Sequence, residues 1–102
     1  MDSERIHTIR DDWKEAIART MFFERKLRGL SQRALARRAV ITRQNLSRAE
    51  NGKRGVFAPQ TLESLAHALN LAPWELVQAV EARALLISIR RTRRAERLQK
   101  AS

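Results

Sequence analysis

The 102-residue chain contains no cysteine. That excludes a disulfide framework and a thiolate metal site, and removes any argument for an oxidising compartment. Its only histidines, His7 and His67, stand far apart with no acidic neighbour at ligand spacing, so no metal centre is expected. Glycine and proline are equally scarce: Gly29, Gly52, Gly55, Pro59 and Pro73 are the whole set. No stretch reaches the roughly 18 apolar residues of a membrane span. The most apolar run, 76-LVQAVEARALLISI-89, is interrupted by Glu81 and Arg83. The opening residues, MDSERIHTIRDDW, lack the apolar core of a signal peptide, and a cytoplasmic protein is the expectation. No histidine-carboxylate pair or glycine-rich phosphate loop is found, and Ser3, Ser31, Ser47, Ser64, Ser88 and Ser102 have no positioned base. Catalysis and a bound cofactor are therefore not expected.

What the chain has in excess is positive charge. Its formal net charge is +10, distributed in blocks. Residues 1–18 carry −2, 19–54 carry +9, 55–89 carry −2 and 90–102 carry +5. Clustered cations of this kind are the electrostatic footprint of a polyanion binder, since displacing condensed counterions from nucleic acid drives association. The alternative for any charge run is a solvated face.

Between the few helix breakers the pattern reads as helices throughout, giving an all-α fold of five helices. Thr8 or Asp11 is placed to cap a first helix ending near Arg28, with Gly29 beyond its end. Ser31 caps a second, 32-QRALARRA-39, with Ala34, Leu35 and Ala39 towards a core. Thr42 caps a third, 43-RQNLSRAE-50, which Asn51-Gly52 closes. Pro59 starts a fourth with Leu62, Leu65, Ala66 and Leu69 at helical spacing. Pro73 starts a fifth, with Glu75 in its first turn. Three regions follow: an N-terminal extension and the start of helix one over 1–18, a basic unit suited to a polyanion over 19–76, and a C-terminal helix with a basic tail over 77–102.

On the third helix, positions 43, 44, 47 and 48 share one face, while 46, 49 and 50 share the other. The first face presents Arg43, Gln44, Ser47 and Arg48; the second presents Leu46, Ala49 and Glu50. Arginine pairs bidentately with guanine and glutamine with adenine in the major groove, so the first face suits base reading; its plain alternative is a solvated polar face.

The motifs 29-GLSQ-32, 35-LA-36, 46-LSR-48, 50-ENGKR-54 and 62-LESLAHALNL-71 decide between these readings, because from about Arg25 to Leu76 the chain resembles the phage-repressor (Cro/cI, XRE) type of helix-turn-helix. The resemblance implies a sequence-specific transcription regulator of double-stranded DNA, most often a repressor. It implies Thr42, Arg43, Gln44 and Arg48 as base-contacting residues, with Ser47 near the groove edge. Gln32, Asn51, Lys53 and Arg54 would hold the sugar-phosphate backbone, and Arg25 would form a structural ion pair with Glu50. Two positions depart from the family pattern. Glu24 stands where leucine is common, so that Met21, Phe23 or Leu27 would be buried in another register. Val40 stands at the glycine of the turn, where the backbone takes positive φ. The expectation is a Val40 held at positive φ, or a reshaped turn, with Ile41 packed inward.

Helix five is apolar almost all round from Trp74 to Ile89. Val77, Val80, Ala84 and Ile87 follow a 3-4-3 spacing and are read as a homodimer seam, giving a palindromic operator; the alternative is that they complete a monomer core. Because 84-ALLISI-89 also has strand character, pairing through a short strand is a further alternative. The tail 90-RRTRRAERLQK-100 either adds phosphate attraction or is simply solvated. A second function class is an antitoxin or anti-regulator, whose main partner is another protein and whose DNA binding is secondary.

Overall fold

A computed structural model of the chain describes residues 3–54 and 57–101, with side chains from residue 10 onward. Five helices follow in order: α1 (Ser3–Leu27), α2 (Gln32–Ala39), α3 (Arg43–Glu50), α4 (Pro59–Ala68) and α5 (Pro73–Ala101). The three short helices α2, α3 and α4 bury one stripe each, contributing Leu35, Ala36 and Ala39, then Leu46 and Ala49, then Leu65, Ala66 and Ala68. These meet Ala16, Ile17 and Met21 of α1 and Leu76 and Val80 of α5 in one continuous core. Burial of that stripe is what holds α2 and α3 helical, since eight residues are too few for a helix to persist alone in water.

The joints share one design. At Gly29, Val40, Gly52 and Asn70 the backbone is left-handed, with φ of 65°, 55°, 72° and 58°. In each case that residue and the next donate back to carbonyls of the helix just ended. Val40 N–H donates to Arg37 O at 3.3 Å and Ile41 N–H to Ala36 O at 3.0 Å, and Gly29 and Leu30 repeat the pattern on Lys26 and Arg25. This closes the last turn and reverses the chain within three residues. Val40 therefore does adopt the glycine conformation, at a strain of roughly 1–3 kcal/mol. Ile41 behind it packs on the core. Ser31 Oγ and Thr42 Oγ1 cap α2 and α3, accepting from Ala34 and Asn45 at 3.0 Å.

Several expectations are corrected. α1 begins at Ser3 and runs through Thr8 and Asp11, so neither ends it; the Thr8 side chain lies outside those described. Its antiparallel partner α5 continues to Ala101, and the Arg91 guanidinium donates to the buried Asp12 carboxylate across the pair. Residues 84–89 are helical, which removes the strand alternative. On α2 it is Ala36, not Ala34, that is fully inside. On α1, Met21 is buried while Phe23 and Leu27 are exposed, and half-buried Glu24 accepts from Arg28 at 2.6 Å.

The residues read as a dimer seam lie mostly within the chain. Val80 is buried, and Ala84 and Ile87 pack on the core. Val77 lines an apolar cleft with Trp13, Ile17, Met21, Phe57 and Leu62. The physical reason is α1, whose full length offers this face a closer apolar partner than a second protomer would.

Candidate nucleic-acid interface

α3 lies across the body of the domain with Leu46 and Ala49 wholly inside. Thr42, Arg43, Gln44, Asn45 and Arg48 are exposed, and Ser47 is half-buried. Five of these six carry the directional donors and acceptors proposed from sequence. The sixth, Asn45, escaped notice because it lies between the two faces of the helical wheel, and only the packing shows it uncovered. Thr42 Oγ1 accepts the cap bond from Asn45 N–H, which leaves its own O–H free to donate. Ser47 is tied to Asn51, whose amide nitrogen donates to Ser47 Oγ at 3.4 Å.

The pose of α3 is set by a buried ion pair. Arg25 Nε and one terminal nitrogen donate to the two carboxylate oxygens of Glu50, each at 2.8 Å, and the other terminal nitrogen donates to Leu30 O at 2.9 Å. The two side chains are only 8% and 4% exposed. The hydrogen bonds to Glu50, aided by its negative charge, hold the Arg25 guanidinium above its usual pKa against the opposing effect of burial. One bidentate contact thus locks the end of α3 to the end of α1 and, through Leu30, to the turn before α2.

Gln32 extends this lock. Its amide nitrogen donates to Glu50 Oε1 at 3.3 Å, and it opens onto a notch at the N-terminus of α2. Arg25, Lys26, Arg33 and Arg43 also line that notch. Unsatisfied N–H groups at a helix start and nearby cations together form a ready anion site. Lys26 and Arg33 were not picked out from sequence; inside a block of 11 basic residues nothing marks them, and the turn at Gly29 alone brings them beside Arg43.

The remaining backbone candidates separate in space. Lys53 is exposed after α3. Arg54 stacks on the Phe57 ring at 5.3 Å and lines a hollow with Val40, Ile41, Thr42, Asn45 and Thr61. Phe57 thereby orients a cation towards the start of α3, a role with no local sequence signal. Asn51 borders a hollow whose walls include Asp11 and Glu15 as well as Lys14 and Arg19, so its surroundings are of mixed charge.

Two short helices joined by a three-residue turn, with the second presenting a polar row beside cationic notches, constitute a helix-turn-helix of the nucleic-acid-binding kind. The chain belongs to the helix-turn-helix domain family, whose model matches residues 24–80, more than half its length. Among solved structures it is similar to the clp gene regulator ClgR from Corynebacterium glutamicum. That match has 21% identity and a TM-score of 0.75 over 87% of this chain and 93% of that one. A second ClgR structure from C. glutamicum matches at 23% identity and a TM-score of 0.60, over 69% of this chain and 90% of that one. At these identities the likeness is one of fold. No curated protein matches the sequence. Among the described residues no helix is long and apolar enough to cross a membrane.

Proposed function

We propose that the chain is a transcription regulator that binds double-stranded DNA by placing α3 in the major groove, acting as a homodimer on a palindromic operator, most simply as a repressor. The observation that carries this is the exposed row of Arg43, Gln44 and Arg48, flanked by the cationic notch at Gln32 and held in pose by Arg25 and Glu50. Arg43, Gln44 and Arg48 read base edges, with Thr42 and Ser47 at the margin. Gln32, Lys53 and Arg54 grip phosphates and set register, and Asn51 contributes less because acidic side chains stand near it. The ClgR proteins are named as gene regulators, which supports the same class of activity here.

The test is selection of bound sequences from a random DNA pool, followed by alanine variants. A palindromic consensus that loses definition at specific positions in Arg43→Ala supports the assignment; no sequence enrichment above random overturns it.

A protein partner is the second reading, favoured by the apolar side chains that α5 leaves exposed: Trp74, Leu85, Leu86 and Ile89. An antitoxin or anti-regulator would be captured by a different protein at this face, with DNA binding secondary to that partner.

A further inference from the structure

The apolar cleft beside Val77 has a volume of about 130 Å³ and lies where three parts of the chain meet. α1 contributes Trp13, Ile17 and Met21, α5 contributes Leu76, Val77 and Val80, and Phe57 and Leu62 close the side towards α4. Ile17, Met21, Leu76 and Val80 are buried, so the floor of the cleft is the core itself, while Trp13, Phe57, Leu62 and Val77 are half-buried at its rim. Folded interiors seldom keep a space larger than a water molecule. Water is a poor occupant here. It needs roughly two to four polar partners, and the lining is apolar apart from the indole N–H of Trp13.

The chemistry of the lining narrows the ligand. No charged side chain borders the cleft, so a charged molecule would lose its hydration with nothing to replace it. The volume suits one aromatic ring: an engineered apolar cavity of about 150 Å³ in another protein stays dry and takes up benzene. Phe57 ties this space to the nucleic-acid interface. Among the described residues it alone lines both the cleft and the hollow at the start of α3, and its ring carries the Arg54 guanidinium at 5.3 Å.

We propose that the cleft is a binding site for a small neutral aromatic molecule of one ring, and that its occupant strengthens DNA binding through Phe57 and Arg54. The ligand packs against Phe57 while that ring holds Arg54, and so favours the arrangement that offers Arg54 to a phosphate. Linkage makes the effect reciprocal: bound DNA raises the affinity for the ligand by the same factor. The site stands on the cleft alone, and the coupling rests on the DNA-binding reading above.

Methyl NMR of the full chain, titrated with toluene, reads the site. The methyls of Ile17, Met21, Leu62 and Val77 should shift together and saturate, whereas those of exposed Leu85 and Leu98 stay in place. Benzoate, the same ring bearing a charge, should move none of them. Val77→Phe fills the cleft and should abolish the toluene shifts, with circular dichroism checking its helical content; if it unfolds, the parent's contrast between toluene and benzoate decides. On the DNA sequence selected above, saturating toluene should raise the parent's affinity about two- to fivefold, the range that a cation–π contact at a partly exposed site commands. Arg54→Ala should bind toluene as the parent does and show no such gain. The proposal is overturned if toluene gives no saturable shift, if the shifts fall on exposed apolar side chains instead, or if DNA affinity at saturation is unchanged or falls. It is equally overturned if the same methyls shift with protein concentration and toluene is shut out, since a second copy of the chain then covers the cleft. Saturable shifts in a protein that enriches no DNA sequence would sink the reading helix and leave the site standing.

Discussion

Val40 is the residue at which this chain departs most visibly from what its backbone asks of it. It is 88% exposed, so its side chain contributes little packing, yet its φ of 55° is one that a β-branched residue resists. Val40→Gly should therefore stabilise the domain by about 1 kcal/mol, the relief of strain exceeding the added freedom of the unfolded chain. Urea denaturation would read this as a higher midpoint at unchanged slope. Glu50 presents the opposite case. Glu50→Ala leaves Arg25 buried without its carboxylate and should cost about 3–5 kcal/mol, whereas Arg25→Met with Glu50→Leu should cost far less than the two single changes added. The Arg25 pKa is raised from a value already far above neutrality. A raised pKa lends stability that disappears only as pH climbs through it, so this guanidinium adds no slope to stability across the neutral range.

At the level of elements, the proposed interface has two kinds of contact that should respond differently to mutation, base edges met by α3 and phosphates met by the turn after it. Arg43→Ala or Arg48→Ala should cost about 1–3 kcal/mol in binding and relax preference at particular bases. Lys53→Ala should weaken all sequences alike and reduce the dependence of log affinity on log salt by about 1 per protomer. Titrations of a selected and a scrambled DNA at several salt concentrations separate the two. Equal losses on both DNAs for Arg43→Ala would remove it from the reading set. Phe57 belongs to this level as well. Its ring positions Arg54 from the loop before α4, so Phe57→Ala should resemble a mild phosphate-contact defect rather than a change of specificity.

At the level of the whole molecule, α1 and α5 form an antiparallel arm that gives the chain its length, 50 × 27 × 24 Å. Asp12 and Arg91 pin this arm at its middle, and past them α5 is almost wholly exposed. Asp12→Asn should cost only ~1 kcal/mol in global stability, because Arg91 is partly solvated. The local effect should be larger: amide hydrogen exchange in residues 92–101 should accelerate while exchange at Leu46 and Leu65 stays slow. Uniform acceleration in both regions would show that the arm is not a separate cooperative unit.

How far each feature could be read from the chain follows from where its cause lies. Helices α2 and α3, their Ser31 and Thr42 caps and the polar row of the recognition helix were legible because they depend on neighbours within four residues, and helical period and capping chemistry are local. The turn at Val40 was legible through the matched residues on both sides of it. The N-terminus of α1 was not, because Thr8 and Asp11 offer capping side chains within what is one continuous helix. The facing of α5 was not legible either. A helix apolar nearly all round has no preferred inner side until another helix packs on it, and α1 chose Val80, Ala84 and Ile87. By itself the sequence determined that the chain is helical, where α2 and α3 begin and end, and which polar residues share the outer face of α3. Only the tertiary structure decided which face of α5 closes the core and which cations gather beside Arg43, since both depend on burial between segments distant in the chain.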